Sequence, residues 1–311
     1  MTYKSIAISG TGLVRTGNQD NVYVNGVYRE DVNDNSVFEH EEKTGEGGIY
    51  VVADGMGGEK HGELASLLAV QALSDEIASA EDFARYVIQR NDAICQVMKE
   101  KGGSRMGATF AGLLVNENNA DIVNLGDSRI YLFRDGSLLQ LSYDHTAAQQ
   151  MINLGILDKA AAGKHHDRHK LTQHLGIFPS EFIIEPHTKH VEVQQGDIFL
   201  MCSDGLTDML NDTEISDILA GTDDISVCAR KLYESALENG GKDNTSIVLI
   251  QADSGGGSSK RKAKAKPKSG SKGKKIAVIA LILLSVALLC AAVWYIVFNV
   301  ANGDCSLIPL Q

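Results

Sequence analysis

The sequence predicts an α+β fold of stacked antiparallel sheets flanked by helices. Strand-like and helix-like stretches fall in separate blocks rather than in strict alternation. Several apolar stretches also finish on an aspartate, so catalytic groups would sit at strand ends on rigid structure.

Taken in order, residues 3–14 and 21–28 read as strands, with Val22, Val24 and Tyr28 alternating, and Arg15 to Asp20 connects them. Residues 29–48 are acidic and glycine-bearing and read as an exposed excursion. The stretch Ile49-Tyr50-Val51-Val52-Ala53 is a buried strand that runs into Asp54-Gly55-Met56-Gly57-Gly58. An isolated Asp-Gly after a strand is usually only a turn. Here the pattern repeats: Asp127 follows residues 122–126, Asp204 follows 198–203, Asp243 precedes 246–250, and Asp20 lies in the first connection. Several carboxylates with a backbone carbonyl describe a hard cation, Mg²⁺ or Mn²⁺, rather than zinc.

Apolar residues at 64, 67, 68, 72, 73 and 77 predict a helix over 62–79, and Ser79-Ala80-Glu81-Asp82 starts another as a capping pattern. Residues 107–116, 119–126 and 129–134 read as a meander. A polar, histidine-rich segment spans 155–190, strands return at 191–203, and helices follow at 213–220 and 223–238. Gly240-Gly241 stops the last of these before a final strand at 244–251.

Charge divides the chain. Nine of the 29 Lys and Arg lie between Lys260 and Lys275, and only Asp304 of the 40 acids lies beyond residue 253, so residues 1–253 hold 20 bases against 39 acids, a formal −19. A domain this acidic argues against nucleic-acid binding and suits cations or basic polypeptides. The five cysteines are widely spaced with no Cys-x-x-Cys, so neither a zinc site nor a disulfide framework is indicated. No secretory leader is expected, because Met1 to Ser9 has no apolar run of the required length.

Residues 254–275 read as a flexible polybasic linker that meets anionic lipid through 260–275. Ile276 to Phe298 holds no charge, and its ~35 Å as a helix exceeds the ~30 Å hydrocarbon core, predicting one transmembrane helix. The basic run before it and the Lys- and Arg-free tail 299–311 place residues 1–253 on the cytoplasmic side of the cell membrane and the tail outside.

Seven motifs in order carry a family resemblance. They are Arg15-x-x-Asn18-Gln19-Asp20, Val52-Ala53-Asp54-Gly55-Met56-Gly57-Gly58, Gly62-Glu63-x-Ala65-Ser66, Met106-Gly107-Ala108-Thr109, Leu125-Gly126-Asp127-Ser128-Arg129, Ser203-Asp204-Gly205-Leu206-Thr207-Asp208 and Lys242-Asp243-Asn244-Thr245-Ser246. Over about residues 5–251 the chain resembles the bacterial metal-dependent protein phosphatases of the 2C type. The resemblance implies a four-layer α-β-β-α sandwich of two antiparallel sheets. It also implies hydrolysis of phosphoserine and phosphothreonine in proteins by a water that two Mn²⁺ or Mg²⁺ ions activate.

By the same resemblance Asp54 bridges the ions, the Gly55 carbonyl binds one, Asp204 and Asp243 bind the other, and Asp20 acts through water. Asp127 with Asp204 would hold a third, weaker ion, and Arg15 would grip the phosphate with its planar fork. Two positions depart from the family. Animal members carry a histidine where Met56 stands, and many bacterial members carry one where Glu59 stands, leaving His61 as the nearest candidate for the general acid, with a helix-start histidine of no catalytic role as the alternative reading. His165, His166 and His169 read as part of a solvated lid rather than a metal cluster. The contrasting function is an inactive phosphoprotein-binding scaffold, and retention of Arg15 and the acids argues against it. Membrane serine/threonine kinases and their substrates are the expected partners.

Overall fold

The computed structural model describes residues 1–253 apart from residues 46, 57–60 and 75. The expected linker 254–275, transmembrane helix 276–298 and tail 299–311 lie outside the described residues, as do Gly57, Gly58 and Glu59. Among the described residues no helix is long and apolar enough to cross a membrane.

Two six-stranded antiparallel sheets form the centre. Sheet A runs β11 (Ser137–Gln140), β10 (Arg129–Arg134), β13 (Ile198–Cys202), β14 (Thr245–Asp253), β1 (Thr2–Gly10) and β4 (Phe38–Thr44). Sheet B runs β12 (His187–Glu192), β9 (Asn119–Leu125), β8 (Phe110–Asn116), β5 (Gly47–Ala53), β2 (Asn21–Val24) and β3 (Val27–Tyr28). A small hairpin joins β6 (Gly55–Met56) to β7 (Gly107–Ala108). The helices are α1 (Gly62–Val70), α2 (Ala80–Glu100), α3 (Ala147–Asn153), α4 (Lys159–Ala162), α5 (Asp204–Thr207), α6 (Asp212–Ala220) and α7 (Ile225–Glu238).

The central strands are apolar on both faces because each face meets a different layer. Along β5, Ile49, Val51 and Ala53 turn toward α1 and α2, while Tyr50 and Val52 turn toward sheet A. Along β14, Ile247 and Leu249 meet α7, while Val248, Ile250 and Ala252 meet sheet B. Burying one such side chain contributes ~1.5–3 kcal/mol. The layers therefore stack helix, sheet, sheet, helix, as the family resemblance implied.

Several boundaries differ from expectation. The strand expected over 3–14 ends at Gly10, that over 21–28 is broken into β2 and β3 by a turn, and that over 191–203 is β12 and β13, which belong to different sheets because a turn at 194–197 separates them. The excursion at 29–48 contains β4, which pairs with β1 from Tyr3 to Ser9. Its exposed side chains are Glu39, Glu41 and Lys43, so the strand alternates by charge rather than by apolar residues, and the charges protect a sheet edge. The helix expected over 62–79 ends at Val70, and Leu73 and Ile77 reach the same core from the turns that follow. At α2 the expected cap is present: Ser79 Oγ accepts the N–H of Asp82 at 3.1 Å.

Candidate active site

The acids gather at one end of the sandwich, and local hydrogen bonds fix each of them. Asp54 follows β5, its N–H donating to Thr109 Oγ1 at 2.9 Å and its carbonyl accepting from the Thr109 N–H at 2.8 Å. Thr109 Oγ1 also lies 2.6 Å from Ser128 Oγ, which ties the Asp54 turn to the turn holding Asp127. Gly55 can carry no side chain, since a Cβ would overlap the carbonyl oxygens of Gly62 and Gln19. Gly126, at φ +101°, lets the chain turn into Asp127 where a Cβ would meet Thr109 Cγ2 at 2.7 Å. Asp204 opens α5 directly after β13, and Asp243 stands two residues before β14.

Asn244 locks the first connection in place. Its Oδ1 accepts the Gln19 N–H at 2.8 Å, and its Nδ2 donates to the carbonyls of Gly17 and Thr11 at 2.9 and 3.1 Å. Asp20 is only 1% exposed and accepts a bond from Ser203 Oγ at 2.8 Å.

Arg15, Asp54, Gly55, Asp127, Asp204 and Asp243 all line a cleft of about 510 Å³. Asp20 lies behind its wall. The electrostatics show carboxyls crowded without enough countercharge. Burial pushes Asp20 up to about 7 in spite of its bonds from Ser203 and Ser246. Burial, then Asp204 and Asp144, push Asp127 up to about 8. Asp54 is raised well above the usual carboxylate range by burial and by Asp20, Asp204, Asp127 and Asp243. This oxygen-rich, glycine-cradled, electron-rich cleft fits divalent cations.

Two cations of the chain already face it. Arg15 makes a bidentate pair with Asp243, Nε to Oδ1 at 2.8 Å and Nη2 to Oδ2 at 2.6 Å. His169 lies with Nδ1 3.4 Å from Asp204 Oδ2 and Nε2 3.2 Å from Asp208 Oδ2, and those two carboxylates push its pKa up to about 10.

The histidines of 155–190 therefore separate. His169 and His174 line the cleft, whereas His165 and His166 cluster with Asp167 outside it. His61 does not line the cleft; it is the N-cap of α1 with φ +84° and no side-chain cap bond. Met56, at the position where the family resemblance implied a histidine in animal members, lines the cleft.

Residues 27–231 match the protein phosphatase 2C family. A serine/threonine phosphatase stp of Listeria monocytogenes is 32% identical over 253 residues, covering 78% of this chain and 93% of that protein. The chain belongs to the protein phosphatase 2C family. It is a serine/threonine protein phosphatase by that membership, like its relatives. Among solved structures, the Mycobacterium tuberculosis serine/threonine phosphatase PstP/Ppp superposes with a TM-score of 0.69 at 30% identity, covering 82% of this chain and all of that one. The catalytic domain of serine threonine protein phosphatase PstP in complex with two manganese ions superposes at 0.66 and 29% identity, over 82% of this chain and 100% of that one.

Within this phosphatase, the acids are legible in the sequence and the groups that aim them are not. Thr109, Ser203 and Asn244 stood inside the quoted motifs with no role, because a hydroxyl or amide announces no chemistry until its partners are known. His174 carried no signal at all.

Proposed function

We propose that this phosphatase hydrolyses phosphoserine and phosphothreonine in proteins at the cleft, with two divalent cations, and does so tethered to the inner face of the cell membrane. The convergence of Asp54, Asp127, Asp204 and Asp243 with Arg15 on one cleft carries the reading. Water adds to phosphorus as the P–O bond to the serine or threonine oxygen breaks. The bound cations, Mn²⁺ or Mg²⁺, would activate that water and offset the charge that gathers on the phosphoryl oxygens.

The chain's own residues do the rest. Asp54 and the Gly55 carbonyl would hold one ion, Asp54 with Asp204 and Asp243 would hold the other, and Asp20 would act through bound water. Once Asp243 takes a cation, Arg15 loses its partner and is available to the phosphate, whose oxygens its fork matches. Asn244 and Thr109 keep these groups in register across the two sheets. A third, weaker ion would sit at Asp127 and Asp204.

The tether rests on the uncharged run 276–298 and the polybasic residues 260–275 before it. Membrane-bound phosphoproteins, transmembrane serine/threonine kinases among them, are the substrates such a tether would favour. The decisive experiment assays the full-length chain with Mn²⁺ on a phosphothreonine peptide and on small phosphate esters, with and without chelator. Peptide turnover that chelation abolishes supports the reading, and chelator-resistant turnover or hydrolysis of small esters alone overturns it.

A further inference from the structure

Building on the reading that the cleft takes divalent cations, we propose that His169 supplies a nitrogen ligand to a third cation site with Asp127 and Asp204, and that this site prefers Mn²⁺ or a later first-row transition ion to Mg²⁺. The ligand atoms of these three side chains lie within 4.8 Å of one another. The imidazole stands between two carboxylates of different kinds. Nδ1 faces Asp204 at 3.4 Å inside the cleft, and Nε2 faces Asp208 at 3.2 Å. Asp208 is engaged in turn by Arg168 at 3.6 Å. A ligating histidine characteristically presents one nitrogen to the metal while an outer carboxylate takes the N–H of the other, fixing tautomer and ring angle. A histidine that served only to neutralise Asp204 would need no second carboxylate behind it.

The donor set decides the class of ion. Mg²⁺ demands near-octahedral oxygen coordination and gives up water reluctantly, so a ring nitrogen adds little to its binding. Affinity for nitrogen donors instead rises along the first-row series from Mn²⁺. Loading removes the ring proton, as for any ligating histidine. The three ligands also come from three places: the turn after β9, the segment between α4 and β12, and the start of α5. An ion held there joins the histidine-rich segment to both sheets.

The test uses the full-length chain loaded with Mn²⁺ and read by electron spin-echo envelope modulation, which detects nitrogen bonded to manganese without any turnover. Nitrogen modulation is expected in the wild type and should survive excess Mg²⁺. It should vanish in His169→Gln, where equilibrium dialysis should show one Mn²⁺ fewer per chain. The double variant His165→Gln/His166→Gln should keep it, excluding the outer histidine cluster as its source. Absence of nitrogen modulation in the wild type overturns the proposal without recourse to any variant, and so does its persistence in His169→Gln. Nitrogen modulation in a protein that turns over no phosphopeptide would sink the phosphatase reading and leave this one standing. Turnover without nitrogen modulation would do the reverse.

Discussion

Arg15 and Asp243 hold each other through two parallel N–H···O bonds of 2.8 and 2.6 Å, so the group expected to grip phosphate is occupied by a group expected to bind cation. The pair is half exposed, and an exposed pair of this kind contributes at most ~1 kcal/mol. A divalent ion on Asp243 outcompetes it easily. Phosphate affinity should therefore rise with Mn²⁺, and Arg15→Lys should raise KM for a phosphopeptide by about tenfold or more because an ammonium cannot make the fork. Calorimetry of Mn²⁺ binding should be nearly unchanged in that variant; an unchanged KM would rule out the phosphate role.

Asp54→Asn is expected to remove most activity, since it takes the charge from the ligand proposed to serve both ions. The metal-free variant should melt no lower than the wild type, because a buried, crowded carboxylate has been replaced by a neutral amide of the same shape. Turnover near normal with Mn²⁺ would exclude the bridging role.

The metal-free protein should lose stability as pH rises. Asp20 and Asp127 keep their protons in the folded chain up to about 7 and about 8, while in the unfolded chain they release them near 3.8. Stability from these raised groups is complete below the unfolded value and is lost as pH climbs through the folded one. His169, held up to about 10 by Asp204 and Asp208 against 6.5 when free, acts in the same sense at higher pH. The melting temperature without metal should fall by on the order of 5 °C between pH 5 and 8. Added Mn²⁺ should restore more at pH 8 than at pH 5, and a metal-free melting temperature that rises over this range would contradict the crowding.

For His61→Gln the expected loss in kcat on a substrate with a poor leaving group is less than tenfold, because His61 is absent from the cleft lining. A hundredfold loss that a good leaving group reverses would identify it as the general acid.

Deleting residues 260–311 should leave kcat/KM on a soluble phosphopeptide within about twofold while lowering turnover of a liposome-anchored substrate at least tenfold. On the proposed tethering, a flexible linker of about 22 residues would hold the domain within roughly 26 Å of its anchor, where effective concentrations would reach the millimolar range. Loss on both substrates would place the tail within the catalytic unit.

The site was legible in the sequence to the extent that carboxylates advertise themselves. An acid at the end of an apolar strand has a chemical identity and a position, so Asp54, Asp127, Asp204 and Asp243 could be named together before any contact was known. The sandwich was legible for a related reason: β5 from Ile49 to Ala53 and β14 from Ile247 to Ile250 are apolar at every position, and only a strand covered on both faces needs that. β4 escaped because an edge strand is specified by the backbone of its neighbour, and Phe38-Glu39-His40-Glu41-Glu42-Lys43-Thr44 carries no apolar alternation. His169 was grouped with His165 and His166 by adjacency, yet three residues of irregular chain turn it to the other side of the segment. Sequence spacing has no period to follow there.

β14 lies in the middle of sheet A, bonded to β1 on one side and to β13 on the other. It is also the last strand among the described residues, and Asp243 and Asn244 ride into place just ahead of it. The first strand made thus waits for the last, and a ribosome must release about 250 residues before the cleft has its full set of acids. A nascent chain should be unable to bind its cations or cleave a phosphate until synthesis of the domain is finished. Activity then begins abruptly rather than growing with length, and the polybasic stretch that follows emerges only as the enzyme becomes competent.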